Sequence, residues 1–434
     1  MWLTRRAVAC VVCAAAIATS AAAPAPGRRD AAPGATSAVV AQVEAATAAI
    51  RGLRARRAVP VSLLDPASFR RLAARAAGGG ASAAAIRDEA QPLVLLGVLP
   101  RGTDLGRVLR AQAAGDVAAF YDAGTKRFYI PLRPGGLSLN DRVTIAHEYT
   151  HALQDQAFDL GRVRPDPARG GPRDSDRALA ATALVEGDAN TAMELYAQQT
   201  FTQQQYTRYQ REAAAAAANV KDNRTPPYLL DGLAFPYDAG ALFEERLLSR
   251  TVLGVSFAAV DAAFRHPPVS TREILHPEVY LRDPMAPAPN LAPPRPALSA
   301  GWRRVDSDVV GEFGLRDMLA QRLDAGTAAR AADGWRADRY TLFNQRTDFL
   351  MAWRIHTASV AAARVLDEAL RAYVARAYHA THATHAAPTP PGSTLVTATG
   401  PAAIAVRRDG VDLSIALASR GALAATALRA VVTM

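Results

Sequence analysis

The stretch TIAHEYTHALQD occupies residues 144–155 and contains the pattern His-Glu-x-x-His. On a helix, His147 and His151 lie one turn apart on the same face, so both imidazoles can reach one metal ion. Zinc favours nitrogen and carboxylate ligands, and a catalytic zinc site keeps one position open for water. Glu148 follows His147 directly and could act as a general base on that water. The pattern therefore predicts a zinc-binding helix that carries its own base.

The surroundings of this pattern favour a helix and argue against coincidence. Ser138 and Asp141 form a predicted capping box, and apolar residues recur at helical spacing from Val143 to Leu153. With 8 histidines and 12 glutamates in 434 residues, random placement gives about 0.004 matches to the pattern. The alternative is an exposed helix that carries two histidines and a glutamate without binding a metal.

A third metal ligand is expected on a later helix, and Glu186 is the candidate. A second helix is predicted over residues 178–197, beginning after an Asp-Ser-Asp segment at 174–176. The residues that share the face of Glu186 have short side chains, which would let two helices approach closely. They are Thr182, Ala183, Ala189 and Asn190. The alternative is that Glu186 pairs with an arginine on a solvated face.

The segment from His147 to Asp155, followed by a glutamate on a later helix, resembles the gluzincin class of zinc metallopeptidases, to which thermolysin belongs. The resemblance implies that His147, His151 and Glu186 hold Zn²⁺, that Glu148 activates water, and that the substrate is a peptide or protein. The interval between His151 and Glu186 is longer than in thermolysin. Residues from about 115 to 285 also resemble uncharacterised exported bacterial proteins of peptidase type.

Two further residues are candidates for supporting a ligand histidine through a hydrogen bond. Asp155 stands four residues after the second histidine, within the stretch that resembles the family's active-site helix. Asn190 stands four residues after Glu186, where thermolysin-like members carry an aspartate that orients a ligand histidine. An asparagine could still accept that hydrogen bond.

The group that would stabilise the transition state cannot be placed by a motif. His276 is one candidate, in the Ser-Thr-Arg-Glu-Ile-Leu-His-Pro segment at 270–277, although a lone histidine before a proline is more often a structural cap. Tyr237 is a second candidate, in the segment 235–237 that the prolines predict to be a loop. Each residue could equally serve ordinary packing.

The pattern of elements predicts an α+β protein. A mainly helical zincin-like catalytic domain is expected over residues 91–285, after an N-terminal helical and strand segment over 24–90. A predicted hairpin at 117–121 and 127–130 would form a small sheet beside the zinc helix, and its edge could pair with an extended peptide. A proline-rich linker at 284–296 would lead to a C-terminal α+β subdomain over 297–434. The sequence leaves open whether residues 24–90 act as a propeptide.

The N-terminus predicts export. Arg5 and Arg6 precede an apolar run and small residues that suit signal-peptide cleavage near Ala23, so residues 1–23 are interpreted as a signal peptide. Both cysteines lie in this segment, and no stable membrane span is expected after its removal. An uncleaved N-terminal anchor is the alternative.

The distribution of basic residues argues against a nucleic-acid partner. Although the net charge is +10, no basic run with interleaved aromatic residues occurs. The expected function is an exported zinc-dependent peptidase of undetermined oligomeric state. The alternative is a non-catalytic cell-envelope binding protein on the same scaffold, which would not need Glu148.

Overall fold

The fold belongs to the α+β class. The computed structural model describes residues 33–78, 83–100, 102–108, 119–132, 136–164, 173–219, 225–251, 254–296, 298–377, 383–384, 393–396, 403–419, 423–424 and 426–428. The predicted signal peptide, residues 1–23, lies outside the described residues. Among the described helices, none combines the length and the apolar character needed to cross a membrane.

The part of the fold that precedes residue 283 consists mainly of helices. In chain order its elements are α1 (Pro33–Arg51), β1 (Val61–Leu64), α2 (Pro66–Gly78), α3 (Ala83–Leu96), β2 (Phe120–Asp122), β3 (Arg127–Pro131), α4 (Leu139–Phe158), α5 (Leu160–Val163), α6 (Ser175–Thr200), α7 (Gln203–Asn219), α8 (Pro227–Leu247), β4 (Ser249–Thr251), β5 (Gly254–Ser256), α9 (Ala258–Arg265), α10 (Thr271–Leu275) and α11 (Pro277–Arg282). The helix predicted around residues 144–155 is α4, and its capping box is formed as expected by Ser138 and Asp141.

A three-stranded sheet lies beside α4, with the strand order β1-β3-β2. Strand β1 runs parallel to β3, and the hairpin pairs β2 with β3 in antiparallel register from Phe120 opposite Tyr129 to Asp122 opposite Arg127. Within the described sheet, β2 is therefore an edge strand. This edge faces α4, where the metal ligands were predicted.

Helix α1 belongs to the same core as α4 and α6. Val40 and Val43 of α1 are buried together with Ile145 of α4 and Tyr196 of α6. After α1, the backbone amides of residues 56 and 57 donate to the side chain of Gln156. Helix α1 and the residues just after it are thus packed into the helical unit that carries the zinc pattern.

Helices α6 and α8 approach closely at two glycines. A Cβ atom added to Gly240 would lie 2.0 Å from the backbone oxygen of Ala183, and one added to Gly187 would lie 2.4 Å from the backbone of Gly240. Any larger side chain at either position would push the two helices apart. The contact fixes Tyr237, one turn before Gly240, relative to Glu186.

The prediction of a loop at 235–237 is wrong, because α8 continues through it. Pro227 occupies the first turn, where a proline fits, and Pro236 lies inside the helix at the cost of one backbone hydrogen bond. Phe235, Pro236 and Phe243 are buried, and Phe235 and Phe243 belong to the core shared with α6. Burial of this apolar face outweighs the local penalty.

The C-terminal part is organised around a sheet. Its elements are β6 (Arg303–Asp308), α12 (Gly311–Ala320), α13 (Ala325–Ala332), β7 (Trp335–Gln345), β8 (Asp348–Thr357), α14 (Val360–Ala377), β9 (Ala383–Thr384), β10 (Ser393–Val396), β11 (Ala403–Asp409) and β12 (Asp412–Ala418). The seven described strands are antiparallel, in the order β6-β7-β8-β12-β11-β10-β9. Residues 284–296, the predicted linker, contain neither helix nor strand and begin with a turn.

The core of the C-terminal sheet also receives residues from before the zinc pattern. Leu95, Leu96 and Val98, at the end of α3 and just after it, belong to the same buried cluster as Trp353 and Leu366. The hydroxyl of Tyr373 in α14 donates to the backbone oxygen of Leu96 at 2.8 Å. The C-terminal sheet and the segment that ends α3 are therefore packed as one unit.

Candidate metal centre

The three predicted metal ligands converge between α4 and α6. The Nε2 atoms of His147 and His151 lie 3.1 Å apart. Oε2 of Glu186 lies 3.2 Å from the Nε2 atom of His147 and 3.4 Å from that of His151. The two histidines are one turn apart on α4, and Glu186 lies opposite them on α6, as the sequence predicted. All three are largely buried, with side-chain exposures of 4%, 12% and 11% for His147, His151 and Glu186.

The spacing of these three atoms fits a bound metal ion. A tetrahedral ion with bonds of roughly 2.0–2.1 Å to nitrogen and oxygen holds its ligand atoms about 3.3–3.4 Å apart. The three separations are 3.1, 3.2 and 3.4 Å, so one small ion can contact all three atoms after minor adjustment. Two imidazole nitrogens and one carboxylate oxygen are also a donor set that zinc accepts.

The electrostatic setting keeps Glu186 ionised. Burial alone would raise the pKa of its carboxyl, but the charge of His151 and hydrogen bonds from both imidazoles hold that pKa well below its usual range. Its second oxygen, Oε1, has the guanidinium of Arg164 at 4.0 Å. An ionised carboxylate is the form that binds a cation.

Gln154 fixes the orientation of His151, and the sequence analysis missed it. The Gln154 amide nitrogen donates to the backbone oxygen of Val185 at 3.0 Å and to Oδ2 of Asp188 at 2.8 Å. Its oxygen consequently faces His151 and accepts a hydrogen bond from the Nδ1 atom at 2.9 Å. When the imidazole is neutral, its lone pair is therefore on the Nε2 atom, which faces the ligand cluster. The available signal was spacing, because Gln154 lies one turn after His151.

Glu148 is held by the edge strand. Its Oε2 atom accepts a hydrogen bond from the backbone nitrogen of Tyr121 in β2 at 3.0 Å. Glu148 is partly buried and is adjacent in sequence to the ligand His147. The hydrogen bond fixes the carboxylate against the hairpin and leaves Oε1 as the oxygen that can exchange a proton.

Asp155 does not take the role that was predicted for it. Its carboxylate accepts a hydrogen bond from the Tyr121 hydroxyl at 2.6 Å and pairs with the ammonium of Lys126 at 2.7 Å. The ring nitrogens of His151 are already directed at Gln154 and at the ligand cluster. Asp155 therefore anchors the β2–β3 hairpin to α4 instead of orienting a ligand histidine.

The other predicted supporting residue, Asn190, is buried one turn after Glu186 in α6. Its placement agrees with the spacing on which the prediction was based. The role of Asn190 in holding a ligand histidine stays a prediction.

Tyr237 lies next to the ligand cluster. Its ring stacks on that of His147, with the ring centroids 6.3 Å apart and the planes inclined by 29°. The glycine contact between α6 and α8 sets this position, because Gly240 is one turn further along α8. Of the two candidates for a transition-state donor, Tyr237 is the one that contacts a metal ligand.

His276 is held by the C-terminal part of the chain, and its role as a transition-state donor stays a prediction. Its Nε2 atom lies 2.6 Å from Oε1 of Glu312 in α12 and 3.6 Å from Oδ1 of Asp333. The hydrogen bond with Glu312 raises the pKa of His276, although burial opposes the shift. Arg272 donates to the other oxygen of Glu312 at 2.6 Å. His276 thus belongs to an ion-pair cluster that joins α10 and α11 to α12.

The comparisons with known proteins cover a different part of the chain from the ligand cluster. Residues 298–428 match the family model described as Domain of unknown function (DUF8575). That segment contains the C-terminal sheet and none of the residues His147, Glu148, His151 and Glu186. No curated protein and no solved structure matches the chain.

Proposed function

We propose that this protein is an exported zinc-dependent peptidase that hydrolyses peptide bonds in a peptide or protein substrate. The observation that carries the proposal is the convergence of His147, His151 and Glu186, with three ligand atoms 3.1–3.4 Å apart beside a glutamate of the same motif. The resemblance to gluzincins supports the same reaction. Export rests on the predicted signal peptide at residues 1–23.

The residues divide the chemical work as follows. His147, His151 and Glu186 would hold the ion, and a bound zinc would supply the Lewis acidity that makes water a nucleophile near neutral pH. The free oxygen of Glu148 takes a proton from the attacking water and delivers one to the leaving amine. The hydroxyl of Tyr237 is the proposed donor to the carbonyl oxygen on which negative charge develops.

The edge strand β2 supports a peptide as the substrate class. A sheet edge can pair with an extended peptide through main-chain hydrogen bonds. In the described sheet β2 occupies an edge, and its Tyr121 already contacts Glu148. A peptide that pairs with this strand would compete with Glu148 for the Tyr121 amide and would thus meet the proposed base directly.

A cleavage assay on a peptide library tests the proposal. Purified, zinc-loaded wild type should produce new peptide termini detectable by mass spectrometry. Glu148→Gln keeps the shape of the side chain and removes the base, so hydrolysis should fall by at least about 100-fold while zinc is retained. Glu278→Gln, at a glutamate whose side chain is 61% exposed beside His276, is the matched control and should cleave normally.

Two results would count against a peptidase. Equal cleavage by wild type and Glu148→Gln would assign the activity to another site or to a contaminant. A wild type that holds zinc but cleaves no peptide of a broad library would favour the non-catalytic binding protein, which does not need Glu148.

A further inference from the structure

A buried charge lies behind Gln154. Asp188, in α6 two residues after Glu186, is fully buried. Its Oδ2 atom accepts a hydrogen bond from the Gln154 amide nitrogen at 2.8 Å, and its Oδ1 atom accepts one from Nε of Arg51. A buried carboxylate without a cation is strongly unfavourable, so Asp188 depends on its partner.

Arg51 is built into the fold as that partner. Its side chain is buried completely, and its Nη2 atom pairs with Oδ1 of Asp261 at 2.7 Å. The guanidinium also lies over the ring of Phe257, 4.4 Å from its centroid. Burial alone would lower the pKa of Arg51, but the charges of Asp188 and Asp261 outweigh burial and raise it. Arg51 therefore remains a cation beside Asp188.

These contacts form one path from the N-terminal helix to a metal ligand. Arg51 donates a hydrogen bond to Asp188, and the Gln154 amide nitrogen donates to the other oxygen of the same carboxylate. The Gln154 oxygen in turn accepts a hydrogen bond from Nδ1 of His151. Each link fixes the donor and acceptor roles of the next, because an amide held at its nitrogen can present only its oxygen. Outer contacts of this kind set the orientation and basicity of a ligand histidine.

We infer that Arg51 is a positioning residue of the metal site and acts on His151 through Asp188 and Gln154. Helix α1, which ends at Arg51, is then part of the metal-binding unit. Helix α1 accordingly would not function as a removable propeptide. This inference rests on the proposed metal site, and its test measures metal binding and not peptide cleavage.

The experiment compares Arg51→Met with Arg272→Met. Both changes remove a guanidinium from a buried carboxylate, since Arg272 pairs with Glu312, whose side chain is 3% exposed. Zinc affinity is measured by competition with a chromophoric chelator, and the cobalt-substituted proteins are compared by visible absorption. Arg51→Met should weaken zinc binding by about 10–100-fold and change the cobalt spectrum. Arg272→Met should leave both unchanged, although it too loses stability.

A second pair of variants decides the matter if Arg51→Met does not fold. Asp188→Asn and Asp261→Asn are both isosteric, and each removes one carboxylate partner of Arg51. An asparagine at 188 has one acceptor oxygen, so it cannot accept from Arg51 and Gln154 as the carboxylate does. Asp188→Asn should weaken zinc binding at least about 10-fold, and Asp261→Asn should not.

The outcomes separate the two proposals. Wild type that takes up no zinc overturns the proposed function itself. If wild type binds zinc, and folded Arg51→Met or Asp188→Asn binds it with the wild-type affinity and cobalt spectrum, Arg51 is a structural ion pair only. The inference then fails while the metal site stands.

Discussion

Two groups of histidine and carboxylate side chains in this molecule look alike by distance and differ in their surroundings. In both His147–His151–Glu186 and His276–Glu312–Asp333, the possible ligand atoms lie within 4.8 Å of one another. The first group is largely buried and is built from α4 and α6, and a glycine contact joins α6 in turn to α8. In the second, Asp333 is exposed, and Arg272 is already bonded to Glu312.

The difference shows what distinguishes a ligand set from an ion-pair cluster. In the first group Gln154 accepts a hydrogen bond from Nδ1 of His151, so the neutral imidazole turns its Nε2 lone pair toward the cluster. In the second, the guanidinium of Arg272 donates to Glu312 at 2.6 Å, whereas the guanidinium beside Glu186, that of Arg164, lies 4.0 Å away. A metal at the second group would have to displace Arg272. Proximity alone does not define a metal site.

The largest expected difference between the two groups is in zinc content. Wild type should hold about one zinc per chain, because one ligand set has the required donors. His147→Ala should bind almost none, and His276→Ala should keep the full amount. Elemental analysis after purification without chelators measures this. Equal loss of zinc in the two variants would remove the distinction between the groups.

Catalysis should separate the two candidate donors next. Tyr237→Phe removes the hydroxyl of a ring that stacks on His147, so kcat should fall by about 100-fold with zinc retained. His276→Gln should change kcat by less than about threefold, because its contacts lie in the ion-pair cluster. Steady-state kinetics on a cleaved library peptide provides the comparison. A larger loss in His276→Gln than in Tyr237→Phe would reverse the assignment.

A smaller effect, on stability, is expected from the glycine contact between α8 and α6, the helix that carries Glu186. In Gly240→Ala the new methyl would lie 2.0 Å from a backbone oxygen, so the free energy of unfolding should fall by about 1–3 kcal/mol. Gly232→Ala, on the same helix, meets no atom within 4 Å and should raise it by about 0.5–1 kcal/mol. Urea denaturation of both variants tests the pair, and equal stabilities would show that α6 and α8 can separate without cost.

The smallest expected effect concerns pH and the second group. The groups that face His276 are Glu312, Asp333, Glu278 and Arg272. A raised pKa in the folded state means that protonated His276 stabilises the fold below its unfolded pKa, and that this contribution is lost as pH rises through the folded pKa. Wild type should therefore exceed His276→Gln in stability more at about pH 6 than at about pH 9. Denaturation of both proteins at the two pH values measures this difference in stability. A difference that grows with pH would contradict a raised pKa for His276.

The sequence predicts best what depends on local spacing. His147 and His151 are related by one helical turn, and the capping box marks where that helix begins, so both follow from neighbouring residues. Glu186 was found because short side chains surround it on its helix face. Strands β2 and β3 were expected from a turn between two apolar runs.

Contacts between distant segments could not be predicted in this way. Arg51 and Asp188 are 137 positions apart, and nothing in either segment names the other as partner. The pairing of His276 with Glu312 could not be anticipated either, because Glu312 lies on a later helix. The helix through Pro236 depends on burial against α6, which outweighs the local preference of proline. In each case tertiary packing decides, and spacing along the chain carries no information about it.

The position of the metal in a crystal of the zinc-loaded protein tests the central claim most directly. Anomalous difference density collected at the zinc edge should show a peak about 2 Å from the Nε2 atoms of His147 and His151 and from a carboxylate oxygen of Glu186. A peak at His276 and Glu312, or no peak in zinc-soaked crystals, would contradict the account.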